Sequence, residues 1–200
     1  MKKYGLLILF TGPSGVGKQT VRGPILKDKD LNIAFSVSMT TRKCRKGEIE
    51  GVDYFFVTKK QFKDAIKKNK LLEWAIYADN YYGTPYDYVH KLRSKGKNVF
   101  LEIEPQGGLQ IIDYCKKNKD DKLLSIFIAP PSINDLKKRL QGRSTEDKKI
   151  IDQRLKVAKW EIAQSKKYQN VVVNKDNKSE ETSKKVRQLI VNAMKKHKLW

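Results

Sequence analysis

Short apolar runs alternate with amphipathic stretches along most of the chain. LLILFT at 6–11, NVFLEIE at 98–104, LLSIFIA at 123–129 and NVVVN at 170–174 are uninterrupted enough to suit strands covered on both faces of a parallel sheet. Between them the spacing predicts helices after Gly17, over 107–118 and over 132–141, the last opened by Pro130-Pro131-Ser132 as breaker and N-cap. Longer charged helical patterns run from 145 to about 167 and from 180 to about 196. This order is that of an α/β protein, a parallel sheet flanked by helices. One region breaks the rhythm: residues 34–84 hold AFSVSMTTR, VDYFFV and EWAIYA, with turn signals at Lys46-Gly47, Glu50-Gly51 and Tyr82-Gly83. It reads as an inserted, smaller, mostly antiparallel lobe.

Composition narrows the class. The 200 residues suffice for one domain with an insertion. With 39% hydrophobic and 32% charged residues the chain is globular and well charged. Two cysteines, Cys44 and Cys115, are too few for a disulfide framework and lack the clustered His or Cys neighbours of a zinc site. A reduced, cytoplasmic protein is expected. The apolar run after Met1-Lys2-Lys3 is too short for a signal peptide, and no later stretch approaches a membrane span.

Charge is the unusual feature. Lys and Arg total 43 against 22 Asp and Glu, a formal net charge of +21, so anions of many kinds should be attracted. Only eight of the positive side chains are arginine, at 22, 42, 45, 93, 139, 143, 154 and 187. Where lysine supplies generic charge, the planar guanidinium marks candidates for shaped recognition of phosphate or carboxylate.

The first apolar run is followed by Gly12-Pro13-Ser14-Gly15-Val16-Gly17-Lys18-Gln19-Thr20 and then a helical pattern. This is a P-loop in its strand, loop, helix context. Its backbone N–H groups can turn inward around a phosphate chain, Lys18 adds a point charge near the β- and γ-phosphates, and the helix N-terminus adds its dipole. Gln19 stands in the usual Ser or Thr slot and Thr20 in the next, which leaves Thr20 as the candidate hydroxyl for Mg²⁺. A P-loop alone leaves GTPases, ATPases, kinases and motors open.

The acceptor side is written elsewhere. Ser36-Val-Ser38-Met-Thr-Thr-Arg42-Lys-Cys-Arg45-Lys-Gly-Glu48, Gly51-Val-Asp-Tyr54-Phe-Phe, Leu72-Glu73-Trp-Ala, Asn80-Tyr81-Tyr82-Gly83-Thr84-Pro85, Leu101-Glu-Ile-Glu104 and Gly142-Arg143-Ser-Thr145 together closely resemble the guanylate kinase family. The resemblance spans about residues 4–190. It implies a P-loop core over 1–33, 85–138 and 156–200, a GMP-binding lobe over 34–84 and a mobile lid over 139–155. It also implies reversible transfer of the ATP γ-phosphoryl group to GMP, and to dGMP, with Mg²⁺ as cofactor. By position Arg42, Arg45, Tyr54 and Tyr82 match the family's clamp on the GMP phosphate, and Ser38, Glu73, Thr84 and Glu104 its guanine readers. Arg139, Arg143 and Arg154 match lid arginines that reach the transferring phosphate, and Asn174 lies where the family binds near adenine.

Chemistry makes these residue types intelligible. The nucleophile is an anionic phosphate oxygen that needs no general base, so the task is to hold two polyanions in line and neutralise them. Guanine presents N1–H and a 2-amino group side by side, a donor pair suited to a carboxylate, and adenine has no equivalent edge. Glu73 is expected to read it. Glu102, ending a core strand, suits either water-mediated contact with magnesium or anchoring of the lobe. The chain departs from the family at Cys44, Pro105, Gly108, Ser144 and Lys175. Pro105 restricts φ just after Glu104 and deletes a donor, a risk to the aim of that acid. Two other classes compete: a non-catalytic scaffold, disfavoured because Lys18 and the clamp and lid arginines are present, and a nucleic-acid binder. Specific nucleic-acid or membrane partners are not expected, and oligomeric state is open.

Overall fold

The computed structural model describes residues 4–141 and 148–200. In chain order the first half runs β1 (Leu7–Thr11), α1 (Lys18–Lys27), β2 (Ile33–Phe35), β3 (Ser38–Thr40), β4 (Tyr54–Phe56), α2 (Lys59–Lys67), β5 (Leu71–Tyr77) and β6 (Asn80–Pro85). The second half runs α3 (Tyr86–Ser94), β7 (Asn98–Glu102), α4 (Pro105–Lys117), β8 (Leu123–Ala129), α5 (Ile133–Gln141), α6 (Lys148–Ala163), β9 (Asn170–Val173) and α7 (Ser179–Lys196).

The four apolar runs and β2 form one sheet in the order β2-β7-β1-β8-β9, every neighbour parallel. All five residues of β1 are buried because both faces are covered. Strand pleating sends alternate side chains to opposite layers. Leu6, Ile8 and Phe10 pack with Val21 and Ile25 of α1 and Val186 and Ile190 of α7, whereas Leu7 and Leu9 pack with Val89 of α3 and Ile111 and Cys115 of α4. The carboxyl ends of these strands all reach one edge, the place where open parallel sheets hold ligands.

The second sheet has the order β4-β3-β6-β5. It is mixed: β6 pairs antiparallel with both β3 and β5, but β4 lies parallel to β3. Two sequence expectations are corrected here. AFSVSMTTR does not form one strand; Ile33–Phe35 joins the core sheet beside β7, buried Ser36 and Val37 make the crossing, and only Ser38–Thr40 enters the second sheet. The turn expected at Tyr82-Gly83 lies instead at Ala78 and Asp79, which take φ of 45° and 60°, while Gly83 pairs with Trp74 inside β6. Those dihedrals belong to the two-residue hairpin turn whose twist matches the strands it joins.

Leu136 and Leu140 of α5 pack against Ile151 and Ala158 of α6, a separate apolar cluster beside the core. Among the described residues no helix is long and apolar enough to cross a membrane.

Candidate active site

The phosphate cradle is built where β1 ends and α1 begins. Gly17 caps α1 with φ 93° and ψ 25°, a left-handed conformation natural to glycine. A β-carbon there would approach the Asn174 side-chain nitrogen to 2.7 Å. Lys18 folds back over the loop, its Nζ donating to the Gly12 carbonyl at 2.5 Å and the Pro13 carbonyl at 3.3 Å. Ser14, Gln19 and Thr20 are exposed, and Val16 is fully buried.

Two side chains from the far end of the sheet hold this loop. Asn174 is buried just after β9 and donates through Nδ2 to the Val16 carbonyl at 2.9 Å. Arg139, on α5, donates to the same carbonyl at 3.1 Å, to the Asn174 carbonyl at 2.7 Å and to Asp176 at 2.7 Å. Both residues therefore brace the cradle from outside, with their polar atoms committed to protein partners. Arg154 lies exposed on α6, and Arg143 falls outside the described residues, as does Ser144.

The second sheet assembles a cationic clamp. Arg42 makes a two-pronged contact with Glu48, at 3.0 Å and 2.7 Å, and lies over Tyr54 and Phe56 with its guanidinium carbon 5.3 Å and 5.8 Å from the ring centres. Tyr82 adjoins Tyr54 edge to face at 6.0 Å. Glu48 accepts from the Arg45 backbone N–H at 2.8 Å, so one carboxylate sets the turn that carries both arginines. Arg42 lowers the Glu48 carboxyl below its ordinary range, and Glu48 in turn raises Arg42. Arg45 itself is exposed.

Across the lobe, Glu73 and Thr84 are both buried and directly paired in register, the Thr84 hydroxyl donating to Glu73 at 2.7 Å. Burial pushes the Glu73 carboxyl up to about 7, with the Thr84 contacts opposing. The other carboxylate oxygen faces α4, where a β-carbon on Gly107 would come within 2.5 Å. Glycine there lets the helix approach the acid closely. Gln110 of α4 fastens the same strand, accepting from the Trp74 N–H at 3.2 Å and donating to its carbonyl at 2.9 Å. Ser38 starts β3 opposite Tyr54.

Glu104 is exposed at the N-cap of α4 and makes no side-chain capping bond. Pro105 is the first residue of the helix, where the donor it lacks leaves nothing unsatisfied. Its carbonyl accepts from the Tyr168 hydroxyl at 3.1 Å. Glu102 is ion-paired with Arg22 of α1.

Several members escaped the sequence reading. Glu48 carried a local signal, an acid inside a basic, arginine-bearing stretch. Gln110, Asp176 and Tyr168 had no local signal, because their partners lie 36 or more residues away.

Comparison with known proteins agrees with this arrangement. The sequence profile described as guanylate kinase matches residues 4–193. The chain belongs to the guanylate kinase family. It is 51% identical over 174 residues to a guanylate kinase of Bacillus subtilis, covering 87% of this chain and 83% of that protein. It is 50% identical over 178 residues to one from Streptococcus mutans, covering 89% and 82% respectively. The crystal structure of guanylate kinase from Anaplasma phagocytophilum superposes with a TM-score of 0.68 at 30% identity, covering 96% of this chain and 87% of that one. Against the family background the arginine economy becomes clear: among the described residues Arg22, Arg42, Arg93, Arg139 and Arg187 each meet a carboxylate. Buried Arg93, paired with Asp120, is purely architectural.

Proposed function

We propose that this chain transfers the γ-phosphoryl group of ATP to GMP, reversibly, and accepts dGMP as well. The observation that carries the reading is the buried Glu73–Thr84 pair: a carboxylate kept out of water in a strongly basic protein, on the lobe that also carries the Arg42 clamp. Such an acceptor suits the paired donors of guanine, and hydrogen bonds to a charged group contribute about 1.5–3 kcal/mol each.

ATP occupies the cradle of residues 12–20 with Lys18 turned from its loop carbonyls to the donor phosphates. The GMP phosphate lies on Arg42, Arg45, Tyr54 and Tyr82, with Ser38, Glu73, Thr84 and Glu104 around the base. An anionic oxygen of GMP attacks the γ-phosphorus as the bond to the β-phosphate bridging oxygen breaks, giving GDP and ADP. No proton need be removed from the nucleophile, so positioning and charge neutralisation supply the catalysis. Arg143 and Arg154 approach from the lid side as lobe and lid close and water is excluded. Arg139 reaches the transferring phosphate only by releasing the contacts it makes with the Val16 and Asn174 carbonyls and Asp176.

The donor set fits a magnesium ion that arrives on the nucleotide. Among the described residues no group of three metal-ligating side chains occurs, Glu102 is committed to Arg22, and the Thr20 hydroxyl is the one side-chain oxygen proposed to hold it. Such sparse protein ligation suits Mg²⁺, which keeps its waters and binds through phosphates. When bound it shields charge on the donor phosphates. Cys44 and Cys115 are both free thiols, in keeping with a cytoplasmic role in purine nucleotide metabolism.

A coupled ADP-release assay with ATP·Mg²⁺ and GMP, dGMP, AMP, UMP or CMP tests the reading. Turnover confined to the guanine nucleotides is expected. Equal rates across the panel would sink it.

A further inference from the structure

The strand that carries Glu73 is gripped from outside its own sheet. β5 is the edge strand in the order β4-β3-β6-β5, so among the described residues no strand pairs with its outer side. Gln110 of α4 occupies that side: its Oε1 accepts from the Trp74 N–H at 3.2 Å and its Nε2 donates to the Trp74 carbonyl at 2.9 Å. A carboxamide can meet a donor and an acceptor on one residue in a single orientation only. A strand of the lobe is thereby clasped to a helix of the core.

Three features centre this clasp on Glu73. The Trp74 N–H belongs to the peptide unit that begins with the Glu73 carbonyl, so holding it fixes the chain rotation just after the Glu73 α-carbon. On the other side, the register of β5 against β6 shifts between Leu71 and Glu73, an irregularity of the kind that re-aims a side chain. The consecutive Leu72 and Glu73 are both buried there. Gly107 precedes Gln110 by three residues, so both lie on one face of α4. At Gly107 that face leaves room for the carboxylate, since a β-carbon would stand 2.5 Å from Glu73 Oε2; at Gln110, one turn on, it holds the backbone. The Thr84 hydroxyl donates to Oε1 at 2.7 Å. Parallel hydrogen bonds to the N1–H and 2-amino groups of guanine need the carboxylate in the plane of the base, and a tilt of the strand misaligns them.

We propose that Gln110 is a positioning residue for base recognition: by clasping Trp74 it keeps Glu73 in the plane of guanine and so sets the discrimination between bases with and without a 2-amino group. The inference rests on reading Glu73 as the acceptor of the guanine donors. Hypoxanthine shares N1–H and the 6-oxo group with guanine and lacks the 2-amino group. Inosine monophosphate is therefore the probe of how well both hydrogen bonds are aimed.

Steady-state rates with GMP and with inosine monophosphate, at saturating ATP·Mg²⁺, test this on the full chain carrying Gln110→Met. Methionine matches glutamine in length and helix propensity and makes neither hydrogen bond. The KM for GMP should rise about tenfold, and the kcat/KM ratio of GMP over inosine monophosphate should fall about tenfold. The kcat with GMP and the KM for ATP should stay within about twofold of the parent. Gln110→Ala deletes the clasp without adding bulk, should show the same split, and decides the matter if the methionine variant does not fold. In a chain already carrying Glu73→Gln, adding Gln110→Met should leave the ratio unchanged, because the group it aims is gone. A lowered Tm with an unaltered ratio would make Gln110 a structural clasp and overturn the proposal while leaving the guanine site intact. A further loss of discrimination in the Glu73→Gln chain overturns it as well. An unaltered protein that shows no preference for GMP over inosine monophosphate removes the reading of Glu73 and this inference with it.

Discussion

The side-chain amide of Asn174 donates to the carbonyl of Val16, 158 residues earlier, at 2.9 Å, and its oxygen lies 3.0 Å from the Thr182 hydroxyl. A residue matched by position to the adenine site is thereby committed to holding the phosphate loop against α7. Asn174→Ala should leave buried polar groups unpaired at a cost of roughly 1–3 kcal/mol. Thermal denaturation should show a lowered Tm, with the KM for ATP raised more than that for GMP. An unchanged Tm with lost ATP affinity would instead indicate direct contact with the nucleotide.

Lys18→Ala removes the cradle's point charge, carried by a side chain that donates to the Gly12 and Pro13 carbonyls of its own loop. The fold should survive and kcat should fall by about 10²–10³-fold or more. Circular dichroism beside steady-state rates separates the two effects.

Glu73→Gln should lower kcat/KM for GMP by about tenfold or more while leaving the KM for ATP in place. Since burial raises the Glu73 carboxyl to about 7, GMP use should weaken as pH falls through that value, because the protonated acid cannot accept both guanine donors. The stability effect has the opposite direction. A carboxyl raised on folding contributes fully below its ordinary value and loses that contribution as pH rises through the folded one. Glu73→Gln should therefore raise Tm at pH 8, by an amount corresponding to roughly 2–3 kcal/mol, and leave it unchanged near pH 4. Melting curves at the two pH values check the sign.

The Arg42 fork meets Glu48 with two hydrogen bonds. Arg42→Lys preserves charge and loses that geometry, so the KM for GMP should rise about tenfold or more with little change for ATP. Equal KM values for the variant and its parent would show that charge alone suffices.

A β-carbon on Gly108 would lie 2.4 Å from the Tyr168 hydroxyl oxygen. Gly108→Ala should destabilise the fold by about 1–3 kcal/mol, and adding Tyr168→Phe should recover part of the loss. A double-mutant cycle by urea denaturation measures the coupling; simple additivity would show that the two residues do not share this space.

The core strands and the phosphate loop were legible because their signals are local. A strand buried on both faces must be largely apolar, as Leu7–Phe10 of β1 are, and a loop that turns its N–H groups inward needs glycines at set spacing. The second sheet was harder to read. Gly83 looked like punctuation yet sits within β6, and the hairpin turns at Ala78-Asp79, where pairing across the sheet outweighed the turn propensity of Tyr-Gly. In the same way Phe35 and Ser38 look continuous in sequence but belong to different sheets.

By itself the sequence determined the alternating α/β architecture, the phosphate loop, and the residue types that a guanine nucleotide and two phosphate groups require. Tertiary structure alone decided how those residues are held and charged. Arg139 and Asn174 converge on one Val16 carbonyl, and Glu73 is desolvated against the start of α4. Local pattern encodes backbone geometry and which faces are covered. Desolvation and charge coupling depend on which groups from remote segments share a volume, and only the folded chain brings those groups together.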